Sequence, residues 1–172
     1  MKRSIDVFEH AGTICKAMKK GILLTARQGS KVNPMTIGWG TIGVEWGKPI
    51  FIAYVRKSRY THDLIEATGE FSVNIPVDNA AEILGYCGSK SGRDVDKVAE
   101  LGLTLETPQV ISVPGIKELP LTLECKVLYK QDQTIESIPD PIRARYYSGP
   151  KDTGNYHTAY YAEIVSAYQI TD

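Results

Sequence analysis

The sequence predicts a mainly β protein, a closed antiparallel barrel of six or seven strands with helical insertions. Short apolar or alternating segments recur between turns that contain Gly or Pro, and only a few short segments have helical periodicity. There is no internal repeat and no strand–helix–strand unit, which favours a closed antiparallel sheet. The 172 residues contain no Pro/Gly/Ser linker. A chain of this length can bury roughly 70% of its unfolded-state surface, so we expect one domain over residues 1–172.

The first third of the chain is expected to form one helix and three consecutive strands. Residues 6–19 show weak helical periodicity, and Gly21 follows as a C-terminal cap. Strands are predicted over 21–27, 35–46 and 50–55, with turn sequences between them. We expect these strands to form an antiparallel meander. The third is apolar throughout, which predicts burial on both faces.

Shorter elements follow along the chain. Thr61 is expected to cap a helix that ends at Gly69, and the next strand, 70–76, alternates apolar and polar residues. Asn79 is expected to cap a further short helix. The remaining predicted elements are a polar and then helical segment over 89–104, strands over 119–129 and 156–170, and one helical turn within 138–147.

The composition excludes several classes of partner. Lys+Arg and Asp+Glu both number 20, so no overall field favours nucleic acid or an anionic membrane. No apolar run approaches the ~20 residues needed to cross a bilayer, and the N-terminus lacks the apolar core of a secretory signal. The three cysteines lack CxxC spacing, which argues against disulfides and a metal site. We therefore expect a cytoplasmic protein without nucleic-acid, membrane or metal partners.

The segment GWGTIG, residues 38–43, matches the dinucleotide fingerprint G-x-G-x-x-G letter for letter. That fingerprint works only where a strand turns into a helix, so that a pyrophosphate meets the helix N-terminus. Here the flanking sequence is β-rich and another strand follows, so we reject a Rossmann site. Glycines inside a strand indicate either a bend or the close approach of a flat ligand to the backbone.

The segment RKSRYT, residues 56–61, concentrates cations and hydroxyls between a buried strand and a helix start. A helix N-terminus presents unpaired N–H donors and partial positive charge. Ser58 and Thr61 could donate to phosphate oxygens, and Arg56 and Arg59 could add charge-assisted hydrogen bonds. The segment therefore predicts a site for a small phosphate, with a solvated basic loop as the alternative.

Two longer segments, 33–76 and 87–104, together resemble the flavin reductase-like FMN-binding split-barrel family, and most closely its flavoredoxin-type members. The resemblance runs from about Thr25 to Thr104 and weakens in the C-terminal third, where HTAYYAEIVSA is similar to the last barrel strand. It implies an FMN-binding split β-barrel that pairs as a homodimer. It also implies that the phosphate lies at residues 56–61 and that the isoalloxazine ring lies along NPMTIGW, residues 33–39.

The resemblance also implies a set of cofactor-binding residues. Several have a plainer alternative: Lys97 as a solvated helix lysine, Asn74 as a strand-end residue bonded to nearby backbone, and Cys87 as a small buried residue rather than a redox-active thiol. Val98 stands where many relatives have an aromatic residue. His157 is a weak candidate near the hydride donor, with a structural role as the alternative. The cofactor set is Asn33, Met35, Thr36, Ile37, Gly38, Trp39, Arg56, Ser58, Arg59, Tyr60, Thr61, Asn74, Cys87, Gly88, Ser91 and Lys97.

Three functions are consistent with these residues. The first is an NAD(P)H-dependent flavin reductase, in which hydride passes to FMN and on to a small-molecule or protein acceptor, with the chemistry carried by FMN. The second is a flavoredoxin-like electron carrier that does not use NAD(P)H directly. The third is a non-catalytic module that binds another phosphate ligand, such as pyridoxal phosphate or a nucleotide.

Overall fold

The computed structural model describes residues 1–171 of the chain. Strands make up 40% of the structure and helices 26%, so the predicted mainly β class is confirmed. The helices are α1 (Val7–Met18), α2 (Tyr60–Thr68), α3 (Ala81–Ser89), α4 (Lys97–Leu101) and α5 (Asp140–Tyr146). The strands are β1 (Lys2–Ser4), β2 (Ile22–Gln28), β3 (Lys31–Ile37), β4 (Gly40–Glu45), β5 (Lys48–Arg56), β6 (Glu70–Ile75), β7 (Leu105–Glu106), β8 (Gly115–Ile116), β9 (Leu121–Asp132) and β10 (His157–Ile170).

One antiparallel sheet contains eight of these strands and curls into a barrel. Its main path follows the order β3-β2-β6-β9-β10-β5-β4, and β1 is added to β10. The two end strands, β3 and β4, are separated in sequence by only Gly38 and Trp39, so the two edges of the sheet come close together. Within residues 1–171 no backbone ladder joins β3 to β4, which leaves the barrel split between them.

The predicted single strand over 35–46 is wrong, because the chain changes its pairing partner within it. β3 begins at Lys31 and pairs with β2, whereas β4 pairs with β5. The first three predicted strands therefore form two separate hairpins rather than one meander. A Cβ added to Gly40 would lie 2.9 Å from Phe51 Cζ, so this glycine allows the close packing that the change of partner requires.

The barrel interior holds the main hydrophobic core. Leu24, Phe71 and Leu123, from three different strands, are fully buried there, and Ile14 of α1 joins the same cluster. Complete burial of such a side chain contributes about 1.5–3 kcal/mol. On the outer face of β5, Ile50 is buried but Tyr54 is half-buried, so the predicted burial of both faces holds only in part.

A smaller apolar cluster fixes helices α3 and α4 beside the barrel. Its buried members are Leu23, Cys87, Leu103, Ile116 and Leu119. Both helices pack against β3, and α3 also packs against β2. This packing brings the loop between α3 and α4 next to the start of α2.

The starts of two helices refine the predicted caps. α2 has Arg59 as its N-cap in an extended conformation, so Thr61 lies inside the first turn and the prediction that it caps the helix is wrong. Gly69 ends α2 with a left-handed φ of 67°, as predicted. Asn79 Oδ1 accepts a hydrogen bond from the Ala81 amide at the start of α3. Across residues 1–171, none of the helices has the length and apolar character that a bilayer crossing requires.

Candidate functional site

The start of α2 and the loop between α3 and α4 enclose a polar cleft of about 190 Å³, here called the corner cleft. Ser58 and Arg59 are exposed and precede the helix, whereas Thr61 in its first turn is buried. The first N–H groups of a helix have no acceptor within it and carry partial positive charge, which suits this end of the cleft to an anion. The lining residues are Asn33, Met35, Thr36, Ser58, Arg59, Tyr60, Thr61, Cys87, Gly88, Lys90, Ser91, Gly92 and Lys97.

The two arginines of the corner differ in their contacts. Arg56 Nη2 donates to the Tyr146 carbonyl at 2.6 Å, and its Nη1 donates to Asp152 Oδ1 at 2.8 Å and to the Asn155 carbonyl at 3.1 Å. Both terminal nitrogens of Arg56 therefore hold the C-terminal segment. The Arg59 guanidinium makes no hydrogen bond or ion pair to residues 1–171 and remains free for a ligand.

Lys97 contributes a buried cation to the corner cleft. It is only 3% exposed, and its Nζ donates to the Pro34 carbonyl at 2.9 Å and to the Cys87 carbonyl at 3.0 Å. An ammonium group has three donors, so one remains for a ligand. Burial lowers the Lys97 pKa, and the charge of Arg59 lowers it further. This lysine is not the solvated helix residue of the alternative interpretation.

The wall of the corner cleft is closely packed around Gly92. A Cβ added to Gly92 would lie 2.0 Å from Asn33 Oδ1 and 2.9 Å from Tyr60 Cδ1, so any side chain there would displace its neighbours. Asn33 is itself buried, and its Nδ2 donates to Thr61 Oγ1 at 2.8 Å. The loop, strand β3 and the start of α2 are therefore fixed to one another at this point.

The Cys87 thiol lies against the cleft but is not reactive in its surroundings. It is 1% exposed, and burial raises its pKa to about 11. The thiolate is the nucleophilic form, so at neutral pH this cysteine is a protonated, packed side chain.

A second cleft, here called the strand cleft, continues from the corner along the end of β3. Its volume is about 250 Å³, and it shares Met35, Thr36 and Arg59 with the corner cleft. The combined volume falls within the ~300–1,000 Å³ that is typical of small-molecule sites. The residues that line the strand cleft are Met35, Thr36, Ile37, Gly38, Trp39, Tyr54, Arg56, Arg59, Tyr146 and His157.

Aromatic rings form the far end of the strand cleft. The Trp39 ring lies 5.0 Å from the Tyr146 ring, edge to face, and 5.1 Å from the His157 ring. His157 Nδ1 lies 2.8 Å from the Tyr147 hydroxyl, which donates to Gln133 Oε1 at 3.0 Å. Burial lowers the His157 pKa to about 4, with further lowering by the nearby arginines. The imidazole is therefore neutral at pH 7.

The family model described as "Flavin reductase like domain" matches residues 18–172. The chain belongs to this family. Among solved structures, flavoredoxin from Methanosarcina acetivorans is 29% identical with a TM-score of 0.68, over 87% of this chain and 68% of that one. The NADH:FAD oxidoreductase SgcE6 from Streptomyces globisporus C-1027 shares the fold at 17% identity and a TM-score of 0.66, over 87% and 75% of the two chains.

A sequence relative extends beyond the region that it shares with this chain. An uncharacterized protein of Archaeoglobus fulgidus is 35% identical over 98 residues, which are 57% of this chain and 55% of that protein. The matched region thus spans about half the length of that relative. The family that the sequence predicted, an FMN-binding split barrel with flavoredoxin neighbours, is confirmed.

Within this flavin reductase-like chain, every residue of the predicted cofactor set except Asn74 lines one of the two clefts, and so does His157. Asn74 is 0% exposed and lies elsewhere in the barrel. Thr25 Oγ1 donates to Asn74 Oδ1 at 2.8 Å, and Asn74 Nδ2 donates to Thr122 Oγ1 at 3.4 Å. Its bonds are thus made to other side chains, and the structure does not bring it to the candidate site.

Four residues line the clefts that the sequence did not single out: Tyr54, Lys90, Gly92 and Tyr146. Lys90 and Gly92 lie inside the segment 87–104, which resembles the family. Their position in that segment is the only signal in the sequence that could have identified them. Tyr54 and Tyr146 reach the cleft through the fold alone. Val98, at the position where many relatives have an aromatic residue, packs against the smaller apolar cluster and lines neither cleft.

Proposed function

We propose that the protein is an FMN-binding oxidoreductase, an NAD(P)H-dependent flavin reductase that passes hydride to FMN and electrons on to an acceptor. The observation that carries the proposal is the continuity of the two clefts through Met35, Thr36 and Arg59. A cationic helix start lies at one end and aromatic rings lie at the other. A ligand with a phosphate at one end and a flat conjugated ring at the other matches this distribution of charge and apolar surface.

At the phosphate end, the available donors belong to groups without partners in the described chain. The Arg59 guanidinium and the Ser58 hydroxyl lie at the start of α2, where the backbone N–H of Ser58 is already bonded to Asn155 and that of His62 to the Arg59 carbonyl. The N–H groups of Tyr60 and Thr61 complete the donor set. The Gly92 Cα lies so close to Asn33 that loop backbone, rather than a side chain, forms this part of the cleft. This donor set fits a phosphate monoester.

At the ring end, strand β3 stops at Ile37 while Gly38 and Trp39 cross to β4 without pairing to either neighbour. Their backbone groups can bond to the polar edge of a flavin. Trp39 and Tyr146 provide apolar surface for the ring. Protein groups of these two kinds fix the orientation of a flavin and adjust its potential.

When bound, FMN supplies the redox chemistry, and the side chains of the chain orient it and set its electrostatic surroundings. Lys97 lines the corner cleft, so its positive charge acts first on the phosphate and, along β3, on negative charge that the ring gains on reduction. Because Tyr147 donates its hydroxyl proton to Gln133, its oxygen accepts from His157 Nδ1–H. This leaves His157 Nε2 as a neutral hydrogen-bond acceptor at the end of the strand cleft.

The direct test is anaerobic mixing of the FMN-loaded protein with NADH or NADPH, followed by flavin absorbance. We expect FMN to be taken up in a stoichiometric complex and its visible absorbance band to bleach with one of the two donors. An FMN-loaded protein that stays oxidised with both donors would refute the reductase proposal. A colourless protein that takes up no FMN would refute flavin binding altogether.

The second candidate is a flavoredoxin-like electron carrier that receives electrons from a partner protein. The 29% identity to flavoredoxin favours it. So does Trp39, which is 41% exposed beside the strand cleft and would bring the ring end within reach of another protein. In the same mixing experiment, bleaching by a reduced donor protein but not by NADH or NADPH would select the carrier.

We further propose that the chain acts as one domain over residues 1–172, in the cytoplasm, as a twofold homodimer. Support for the cytoplasm comes from the cysteines: Cys15 is exposed, Cys87 and Cys125 are buried, and none of the three is paired. Support for a dimer comes from the family resemblance. Light scattering of the purified protein tests it, with twice the 19.0 kDa chain mass as the expected result.

A further inference from the structure

A second cavity lies directly behind the corner cleft. It has a volume of about 450 Å³ and is formed by the loop after β2 together with the loop between α3 and α4. Asn33, Tyr60 and Gly92 line both cavities and so form the wall between them. The wall stands at the phosphate end of the proposed flavin site.

The wall has no space through which a ligand could pass. A single added methyl group on Gly92 would come within 2.0 Å of Asn33 Oδ1 and 2.9 Å of Tyr60 Cδ1. The Asn33 side chain is held in this position by its hydrogen bond to buried Thr61. Loop, strand and helix therefore meet in van der Waals contact.

Arg93 lies on the side of the wall that faces the second cavity and holds the wall together. Its Nη1 donates to the Ser58 carbonyl at 2.8 Å, and its Nη2 contacts Asp63 Oδ2 at 2.6 Å. The guanidinium also lies over the Tyr60 ring, 5.4 Å from the ring centroid. One side chain thus ties the loop between α3 and α4 to Ser58, two residues before α2, and to the first turn of that helix.

The cavity behind the wall is not arranged for a second phosphate. Asp94 and Asp96 line it together with Lys31 and Arg93, so carboxylates offset the cations. Arg93 is also engaged by Asp63. The Arg59 guanidinium and the start of α2 lie on the corner side of the wall, whereas on the far side Asp96 caps the start of α4.

We propose that this wall makes the flavin site selective for a flavin that ends in a phosphate monoester, and that Arg93 is the positioning residue that keeps the wall closed. The proposal rests on the proposed function, which places a flavin phosphate in the corner cleft. A dinucleotide such as FAD continues beyond its first phosphate into a second phosphate and an adenosine. The closed wall denies that continuation the cavity behind it.

The test is calorimetric titration of the flavin-free protein with FMN and with FAD. We expect wild type to bind FMN at least about tenfold more tightly than FAD, a difference of ~1.4 kcal/mol. In Arg93→Ala the ratio should fall to about threefold or less, chiefly through tighter FAD binding. Arg143→Ala is the matched control, because Arg143 is also an arginine paired with an aspartate, Asp140, and it lines neither cleft.

The outcomes separate this inference from the proposed function. Wild type that binds FAD within about threefold of FMN overturns the selectivity while flavin binding stands. An Arg93→Ala variant that keeps the wild-type ratio of FMN to FAD affinity overturns the positioning role of Arg93 while flavin binding stands. If Arg93→Ala does not fold, Asp63→Ala removes one of the contacts that hold Arg93 in place and should still lower the ratio of FMN to FAD affinity. If neither flavin binds to wild type, the proposed function fails and this inference fails with it.

Discussion

The Lys97 ammonium group lies 2.9 Å from the Pro34 carbonyl oxygen, which ties helix α4 to strand β3 across the corner cleft. A buried ammonium is costly unless it is hydrogen-bonded, and here two carbonyls satisfy two of its three donors. Burial of this charge costs free energy, and its position beside the proposed cofactor site indicates that Lys97 binds the ligand.

Replacing Lys97 by Met should therefore weaken FMN binding by about tenfold and lower the reduction potential of the bound flavin, because a positive charge is lost. The midpoint temperature of thermal unfolding should be unchanged or slightly higher, since the substitution by Met removes a buried charge. Fluorescence titration and a dye-linked potential measurement provide the readouts. The control is Lys20→Met, an exposed lysine that lines neither cleft. If Lys97→Met keeps the wild-type affinity for FMN and the wild-type reduction potential, Lys97 does not act on the ligand.

The two corner arginines should behave differently when replaced by Ala. Arg59→Ala removes an unpaired guanidinium and should weaken FMN binding about tenfold or more with little change in stability. Arg56→Ala breaks the contacts to Tyr146, Asp152 and Asn155 and should destabilise the fold by on the order of 2 kcal/mol.

Titration with FMN and chemical unfolding of the two variants separate these effects. Hydrogen exchange should show increased opening of residues 146–155 in Arg56→Ala and not in Arg59→Ala. If Arg59→Ala binds FMN as wild type does, the phosphate does not lie at the start of α2.

Asn74→Ala should lower stability without changing flavin affinity. The substitution leaves the buried Thr25 hydroxyl without its acceptor, which costs about 1–3 kcal/mol. FMN affinity should stay within about twofold of wild type, because Asn74 lines neither cleft. The comparison uses urea unfolding and fluorescence titration. If Asn74→Ala folds stably but loses much of its affinity for FMN, Asn74 contacts the ligand, as the sequence suggested.

His157 should make stability depend on pH in the acid range. Its folded pKa of about 4 lies below the ordinary value of 6.5, so the unfolded chain takes up the proton first as pH falls. The stabilising contribution is therefore complete above pH 6.5 and is lost as pH falls toward 4. His157→Gln should flatten this part of the profile relative to wild type in urea unfolding between these pH values. His10→Gln, at a half-buried position in α1, is the control and should retain the wild-type profile, and identical profiles for all three proteins would contradict the account.

The sequence predicted the longer strands and most of the residues that line the two clefts, because local patterns and the ordered segments carry that information. It could not predict the change of pairing partner at Gly38 and Trp39, since both sides of that point are β-rich and pairing is decided by the whole sheet. Asn74 illustrates a second limit. Its alternation with apolar neighbours indicated a polar face, but the chain around Pro114 covers that face, where Ser72 Oγ donates to the Pro114 carbonyl at 2.7 Å.

Arg56 and Tyr146 illustrate a third limit, which is long-range contact. They are 90 positions apart, and nothing local in the sequence links a cation at the end of β5 to the end of α5. The basic segment 56–61 therefore suggested four similar phosphate ligands. In the fold, Arg56 supports the chain around the strand cleft, Thr61 bonds to Asn33, and Arg59 alone of the two arginines keeps its donors free within residues 1–171.

A crystal structure of the FMN complex tests the central claim most directly. The account predicts the phosphate within hydrogen-bond distance of Arg59 and Ser58, and the isoalloxazine ring in the strand cleft between the end of β3 and Trp39. Density for the phosphate at the aromatic end, or for the ring outside the strand cleft, would contradict it.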